Sequence, residues 1–175
     1  EGGVWHYAYD GHGKILRGTD PLGRETSYGY SLSGELVSRT LADGAEYRYA
    51  YDLLGRITGL EAPEGRSLSW EYNEAGDLIR ETDAKGNTAS YTYDKLHRLL
   101  SVTNPEGARI SYSYDKAGNM VSAVSPSGAE SSFRYDALDR VSSVKTPGMH
   151  ELSYTYDEAG NLAAVTETGR ERKTG

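Results

Sequence analysis

The chain has 175 residues and a formal net charge of -7. An acidic surface disfavours the phosphate backbone of nucleic acid, which is bound by clustered lysine and arginine. With no cysteine there are no disulfides and no thiolate metal sites, and no apolar run approaches the roughly 18 residues of a membrane span.

Eight tyrosines stand 21 residues apart: Tyr9, Tyr30, Tyr51, Tyr72, Tyr93, Tyr114, Tyr135 and Tyr156. A fixed period without insertion or deletion marks a repeat architecture. With each tyrosine as position 1, position 2 is Asp10, Asp52, Asp94, Asp115, Asp136 or Asp157, replaced by Ser31 and Asn73. Position 5 is Gly13, Gly34, Gly55, Gly76, Gly118 or Gly160, with His97 and Asp139 as exceptions. Asp first and Gly last predict a type I turn followed by a left-handed residue, a conformation that His and Asp also tolerate.

Position 7 is apolar in every unit, from Ile15 to Leu162, and opens a second strand. Its alternation is blurred, as in Leu99-Leu100-Ser101-Val102. Either both faces are partly buried or a bulge shifts the phase. The strand ends in a second turn signal. Asp20-Pro21-Leu22-Gly23, Ala62-Pro63-Glu64-Gly65, Asn104-Pro105-Glu106-Gly107 and Ser125-Pro126-Ser127-Gly128 suit a type I turn, and Thr146-Pro147-Gly148-Met149 suits type II.

The next strand alternates strictly. Trp5 and Tyr47, the position 20 residues Tyr7, Tyr28, Tyr49, Trp70, Tyr91, Tyr112, Phe133 and Tyr154, and the eight marker tyrosines all fall on one face. The opposite face carries Ser27, Ser69, Ser90, Ser111, Ser132 and Ser153. The expected fold is all-β: a continuous antiparallel meander of about eight 21-residue repeats forming a curved strip. Residues 1–166 form a single repeat array, and 167–175 a charged, poorly ordered or truncated end. Glu1-Gly2 aligns with Glu64-Gly65 and Glu106-Gly107, so the chain reads as a fragment of a longer protein. Its first and last strands would then present unpaired edges, and self-association through them is expected.

Nothing in the pattern points to catalysis. His6, His12, His97 and His150 fall at unrelated repeat positions and have no ligand spacing. The serines lie on the polar face without a nucleophile elbow, and the aspartates are explained by turns. The expectation is no enzyme, with no catalytic, cofactor-binding or metal residues and no cofactor.

Tyr51-Asp52-Leu53-Leu54-Gly55-Arg56-Ile57 and Tyr156-Asp157-Glu158-Ala159-Gly160-Asn161-Leu162 resemble the YD repeat of Rhs proteins, and the resemblance covers almost the whole chain. Similar families include bacterial polymorphic toxins, the B and C components of insecticidal toxin complexes, and teneurins. The resemblance implies a segment of a spiral β-shell that encapsulates a C-terminal toxin or effector of the parent chain. It further implies adjoining shell repeats as partners and a secreted or cell-surface parent. Bacterial members carry a self-cleavage site of the form Asp-Pro-x-Gly. Asp20-Pro21-Leu22-Gly23 has this form, but as one unit of the repeat series, so no protease role is carried to Asp20. The alternative is an extracellular carbohydrate- or protein-binding surface built on the aromatic face.

Overall fold

The structure is a computed structural model that describes residues 3–168. Sixteen strands follow one another, two per repeat: β1 (His6–Tyr9), β2 (Ile15–Thr19), β3 (Glu25–Tyr30), β4 (Leu36–Thr40), β5 (Glu46–Tyr51), β6 (Ile57–Ala62), β7 (Arg66–Tyr72) and β8 (Leu78–Thr82). Then come β9 (Thr88–Tyr93), β10 (Leu99–Thr103), β11 (Arg109–Tyr114), β12 (Met120–Val124), β13 (Glu130–Tyr135), β14 (Val141–Lys145), β15 (Glu151–Tyr156) and β16 (Leu162–Thr168). They form one antiparallel sheet whose strand order is the chain order, the expected meander. By compactness the chain divides into residues 1–89, with β1 to β8, and residues 90–175, with β10 to β16; β9 spans the division.

The turn after each marker tyrosine obeys its sequence. The Gly118 amide donates to the Asp115 carbonyl at 3.2 Å, the Asp115 amide donates to the Asn119 carbonyl at 2.9 Å, and Gly118 sits at φ 101°. His97 (φ 61°) and Asp139 (φ 57°) occupy the same left-handed position in their units. The aspartate side chain ties the turn together. Asp52 Oδ1 accepts from the Leu54 and Arg56 amides at 2.9 and 3.0 Å, as turn-forming aspartates do.

The turns at the other ends of the strands differ at one place. Ala62-Pro63-Glu64-Gly65 departs from the expected type I form: Glu64 itself is left-handed (φ 66°), within a single turn of 3-10 helix over Pro63–Gly65. The cause is the first residue. Asp20, Asn104 and Ser125 each accept a backbone amide on their side chain, whereas Ala62 has no acceptor. Leu41 has none either, but Asp43 supplies a bond to the Ala45 amide. Without such a tie the β6–β7 ladder runs on to Ala62 opposite Arg66. At Thr146–Met149 the Met149 amide donates to the Thr146 carbonyl at 3.1 Å and Gly148 has φ 72°, as a type II turn requires.

The blurred alternation of the second strand is a bulge, repeated in all eight units. Leu99 pairs with Tyr93 and Ser101 with Thr92, so Leu100 is the extra residue. Leu16, Val37, Thr58, Ile79, Val121, Ser142 and Ala163 hold the same place in the other units. An extra residue re-aims the side chains beyond it. Leu99 and Val102 therefore share the tyrosine face, while Ser101 lies on the other.

The sheet has no conventional core. Among the described residues no apolar side chain is fully buried, and the most buried polar one, Ser101 at 2% exposure, shares a 2.7 Å hydrogen bond with Thr92. β16 extends through Thr168, so Glu167 and Thr168, expected in the charged end, pair with Leu152 and Glu151. The remainder of that end, 169–175, lies outside the described residues.

Left-handed turn positions should dominate local stability. Gly55 has φ 76°, and a Cβ added there would meet no heavy atom closer than 3.8 Å, so strain and not crowding decides. Gly55→Val should cost more than about 1 kcal/mol, and Ser111→Ala less than about 0.5 kcal/mol. Thermal unfolding of the two variants compares them directly; equal midpoints would contradict the turn assignment.

Candidate functional surface

The tyrosine face is the surface on which the repeats act on one another. Its cross-strand partners are mostly apolar: Tyr112 faces Ala123, Tyr114 faces Met120, Phe133 faces Val144 and Tyr135 faces Val141. Every aromatic side chain from Tyr28 to Tyr156 is half-buried in this layer, whereas Trp5, Tyr7 and Tyr9 on and beside β1 are exposed.

Each of five marker tyrosines reaches into the preceding unit. The Tyr30 hydroxyl donates to the Ile15 carbonyl at 3.0 Å, and Tyr51 to Leu36, Tyr114 to Leu99 and Tyr135 to Met120 at 2.9 Å. Tyr156 donates to Val141 at 2.8 Å. The acceptor is always position 7, the residue that opens the bulge. A bulge disrupts the local ladder, and the hydroxyl supplies a donor there.

Position 6 alternates from unit to unit. Lys14, Arg56, Arg98 and Arg140 occupy the odd units, and Glu35, Asp77, Asn119 and Asn161 the even ones. The odd-unit cations all lie over the tyrosine ring of the next unit: Lys14 on Tyr30 at 5.1 Å, Arg56 on Tyr72 at 4.7 Å, Arg98 on Tyr114 at 4.9 Å and Arg140 on Tyr156 at 4.3 Å. Arg98 is also paired with Asp94 at 2.7 Å, and its Nη1 donates to the Asp115 carbonyl at 2.9 Å. Lys14 donates likewise to the Gly34 carbonyl at 2.6 Å. One side chain thus links its own turn to the next unit's ring and turn. From the third unit onward position 4 keeps the same alternation: Leu54, Leu96 and Leu138 in odd units, Ala75, Ala117 and Ala159 in even ones, with His12 and Ser33 in the first two units. A 21-residue consensus misses these residues; a 42-residue period in the same sequence marks them.

The even units carry a carboxylate, in Glu35 and Asp77, or a neutral amide, in Asn119 and Asn161. Glu35 accepts from the hydroxyls of Ser31 and Ser33, which hold its carboxyl down at about 2, below its ordinary 4.5. Burial, then the Tyr49 and Glu35 charges, raise the Tyr51 hydroxyl. In odd turns, burial raises the Asp52 carboxyl, but the Arg56 amide and guanidinium and the Leu54 amide outweigh it and the net shift is downward. At Asp136 the Arg140 guanidinium is the largest cause of a downward shift.

Among the described residues no cluster of three or more His, Asp and Glu could hold a metal ion. Asp20 is spent on its turn, accepting from the Leu22 and Arg24 amides and from Arg24 Nε at 2.6 Å. A shallow cleft of about 480 Å³ lies beside it, with Trp5, Arg24, Thr26 and Asp43 in its lining. Among the described residues no helix is long and apolar enough to cross a membrane.

The model of the Teneurin YD-shell family matches residues 64–173, and that of the RHS Repeat matches residues 9–45 and 30–67. No curated protein sequence matches the chain. Among solved structures it is similar to the crystal structure of TcdB2-TccC3-Cdc42, with TM-score 0.71 and 19% identity over 95% of this chain and 11% of that one. It is also similar to TcdB2-TccC3 without its hypervariable C-terminal region, with TM-score 0.60 and 17% identity over 95% and 11%. A third is the Photorhabdus luminescens Tc holotoxin pore, with TM-score 0.56 and 16% identity over 95% and 11%. The chain therefore spans about a tenth of the length of these chains.

Removing a clamp should cost more than removing an exposed ion pair. Arg98→Ala loses a ring contact, a carboxylate and a carbonyl, and should cost about 1–2 kcal/mol. Tyr114→Phe should cost about 0.5–1.5 kcal/mol. Arg48→Ala, which loses the exposed Glu46 pair at 3.1 Å and the attraction of Glu61 on the facing strand, should cost less than about 0.5 kcal/mol. Chemical denaturation of the three variants tests the order.

Acid should weaken the fold through Glu35. Its folded pKa lies below its unfolded value, so its contribution is complete above 4.5 and is lost as pH falls towards 2. The thermal midpoint of Glu35→Gln should fall less steeply over that window than that of the wild type. Parallel curves would contradict the role of the Ser31 and Ser33 hydroxyls.

Proposed function

The chain belongs to the Teneurin YD-shell family, and from that premise we propose that it is a wall segment of a larger β-shell, enclosing a C-terminal toxin or effector of its parent chain. The observation that carries this reading is the unbroken strand order of the sheet. Sixteen strands pair in order, and no apolar side chain is fully buried among the described residues. An ordinary domain buries one face of a sheet against a second layer. Here the tyrosine face is closed by contacts between neighbouring units, which suits a wall that extends by repetition and holds its contents on one side. The neighbours' chains are several times longer, consistent with a segment of a larger enclosure. On this reading the adjoining repeats and the enclosed domain are its partners, the parent is secreted or displayed at a cell surface, and residues 1–166 act as one array.

The chemistry supports a structural role and not a catalytic one. The recurring carboxylates accept turn amides and guanidinium groups, and the tyrosine hydroxyls donate to backbone. The same assignments weigh against the carbohydrate-binding alternative, because most of the rings it needs are half-buried in contacts between units.

Limited proteolysis of a natural parent chain containing this segment tests enclosure. The domain C-terminal to the repeats should resist trypsin while the repeats are folded. It should become susceptible once acid or denaturant opens them. Equal cleavage of that domain with the repeats folded and unfolded would overturn the proposal.

A further inference from the structure

Each odd unit supplies its own cation to the tyrosine ring of the unit after it. Lys14 shows the arrangement with a primary ammonium: it lies over the Tyr30 ring at 5.1 Å, and its Nζ donates to the Gly34 carbonyl at 2.6 Å. One repeat later the same three places hold Glu35, Tyr51 and Gly55. The ring and the carbonyl recur, but the cation is replaced by a carboxylate. Among the described residues no cation pairs with Glu35; Lys14, held at Tyr30, attracts it from further away.

The junction after Asn119 is closed from within, because Asn119 donates to Asp139, the position 5 residue of the next unit, at 2.8 Å. After Glu35 that place is Gly55, which has no side chain to offer. Glu35 Oε1 lies 3.8 Å from where a Gly55 Cβ would stand. A cleft of about 210 Å³ opens here, lined by Ser31, Ser33, Glu35, Tyr49, Tyr51 and Asp52. Its walls are fixed. The Tyr51 hydroxyl donates to the Leu36 carbonyl at 2.9 Å, and both serine hydroxyls donate to Glu35 Oε2. Asp52 is taken up by the Leu54 and Arg56 amides and by Arg56 Nε. The serine hydroxyls also keep Glu35 charged at neutral pH, since its carboxyl is held at about 2.

We propose that this cleft binds a primary ammonium group, with its nitrogen over the Tyr51 ring and donating to Glu35 Oε1 and to the Gly55 carbonyl. The ligand takes the place that Lys14 takes one unit earlier, and Glu35 supplies the counter-charge. A primary ammonium has three donors on a compact charge, enough for both acceptors, and it is attracted to the face of an aromatic ring. Its alkyl stem lies along Tyr49. Two sources carry this group: a small free amine, and a lysine side chain of another polypeptide.

An NMR titration of the full chain with n-butylammonium chloride, followed at the tyrosine rings, tests the site. Sodium chloride at equal ionic strength is the reference. The Tyr51 ring signals should shift and saturate in the millimolar range with butylammonium and not with sodium. Glu35→Gln should weaken binding about fivefold. Glu35→Lys installs the residue type that the first unit carries at position 6, so it should keep the wild-type β circular dichroism. Its own ammonium should occupy Tyr51 and abolish butylammonium binding. Nα-acetyl-lysine amide is the second ligand. Binding as tight as butylammonium's assigns the site to a lysine side chain, and binding of butylammonium alone assigns it to a free amine. Equal responses of the wild type to butylammonium and sodium would overturn the proposal, whatever the variants do. So would a Glu35→Gln or Glu35→Lys chain that binds butylammonium as tightly as the wild type.

Discussion

The bond from the marker tyrosine to the carbonyl that opens the preceding bulge is the link on which the rest depends. The bulge keeps Leu99 and Val102 on the tyrosine face despite the extra residue between them. That arrangement disturbs the ladder where the next unit's hydroxyl arrives, as Tyr114 does at Leu99. A protein with a core could absorb such a defect by packing. This sheet has no fully buried apolar side chain among its described residues, so neighbouring units must satisfy one another. Stability is then close to a sum of nearest-neighbour terms, as in other repeat arrays.

Two kinds of junction alternate along the array. From an odd unit to an even one, a cation lies on the tyrosine ring, and Arg98 also ties two turns together. From even to odd, a carboxylate or amide takes that place, as Glu35 does near Tyr51 and as Asn119 does in donating to Asp139 at 2.8 Å. A cation over an aromatic face is worth about 0.5–1 kcal/mol at exposed sites and the hydroxyl bond about 1 kcal/mol. Small terms of this size matter because they recur along the array.

The strands, the aromatic face and most turns were legible because each depends on residues close in sequence. Alternation set the face of Tyr112 and Tyr114, and Asp115 with Gly118 set the turn. His97 and Asp139 took the left-handed places expected of them. Other features depend on contacts between units. The pattern Leu99-Leu100-Ser101-Val102 is compatible with a bulge and with two buried faces, because either gives the same residue types. Pro63 and Gly65 point to a type I turn around Glu64, and the missing acceptor at Ala62 decides otherwise. Arg98 on Tyr114 joins residues in different units, and its signature is hidden when all units are averaged to one consensus.

The alternation of junctions also bears on how a gene for such a wall changes length. Unequal recombination between repeats adds or removes whole units. A change of one unit places two like residues next to each other, such as Arg56 followed by Arg98, and leaves one ring with a mismatched neighbour. A change of two units, 42 residues, restores every pairing of cation and ring. Lineages that lengthen or shorten this array should therefore retain duplications in pairs of repeats more often than single ones.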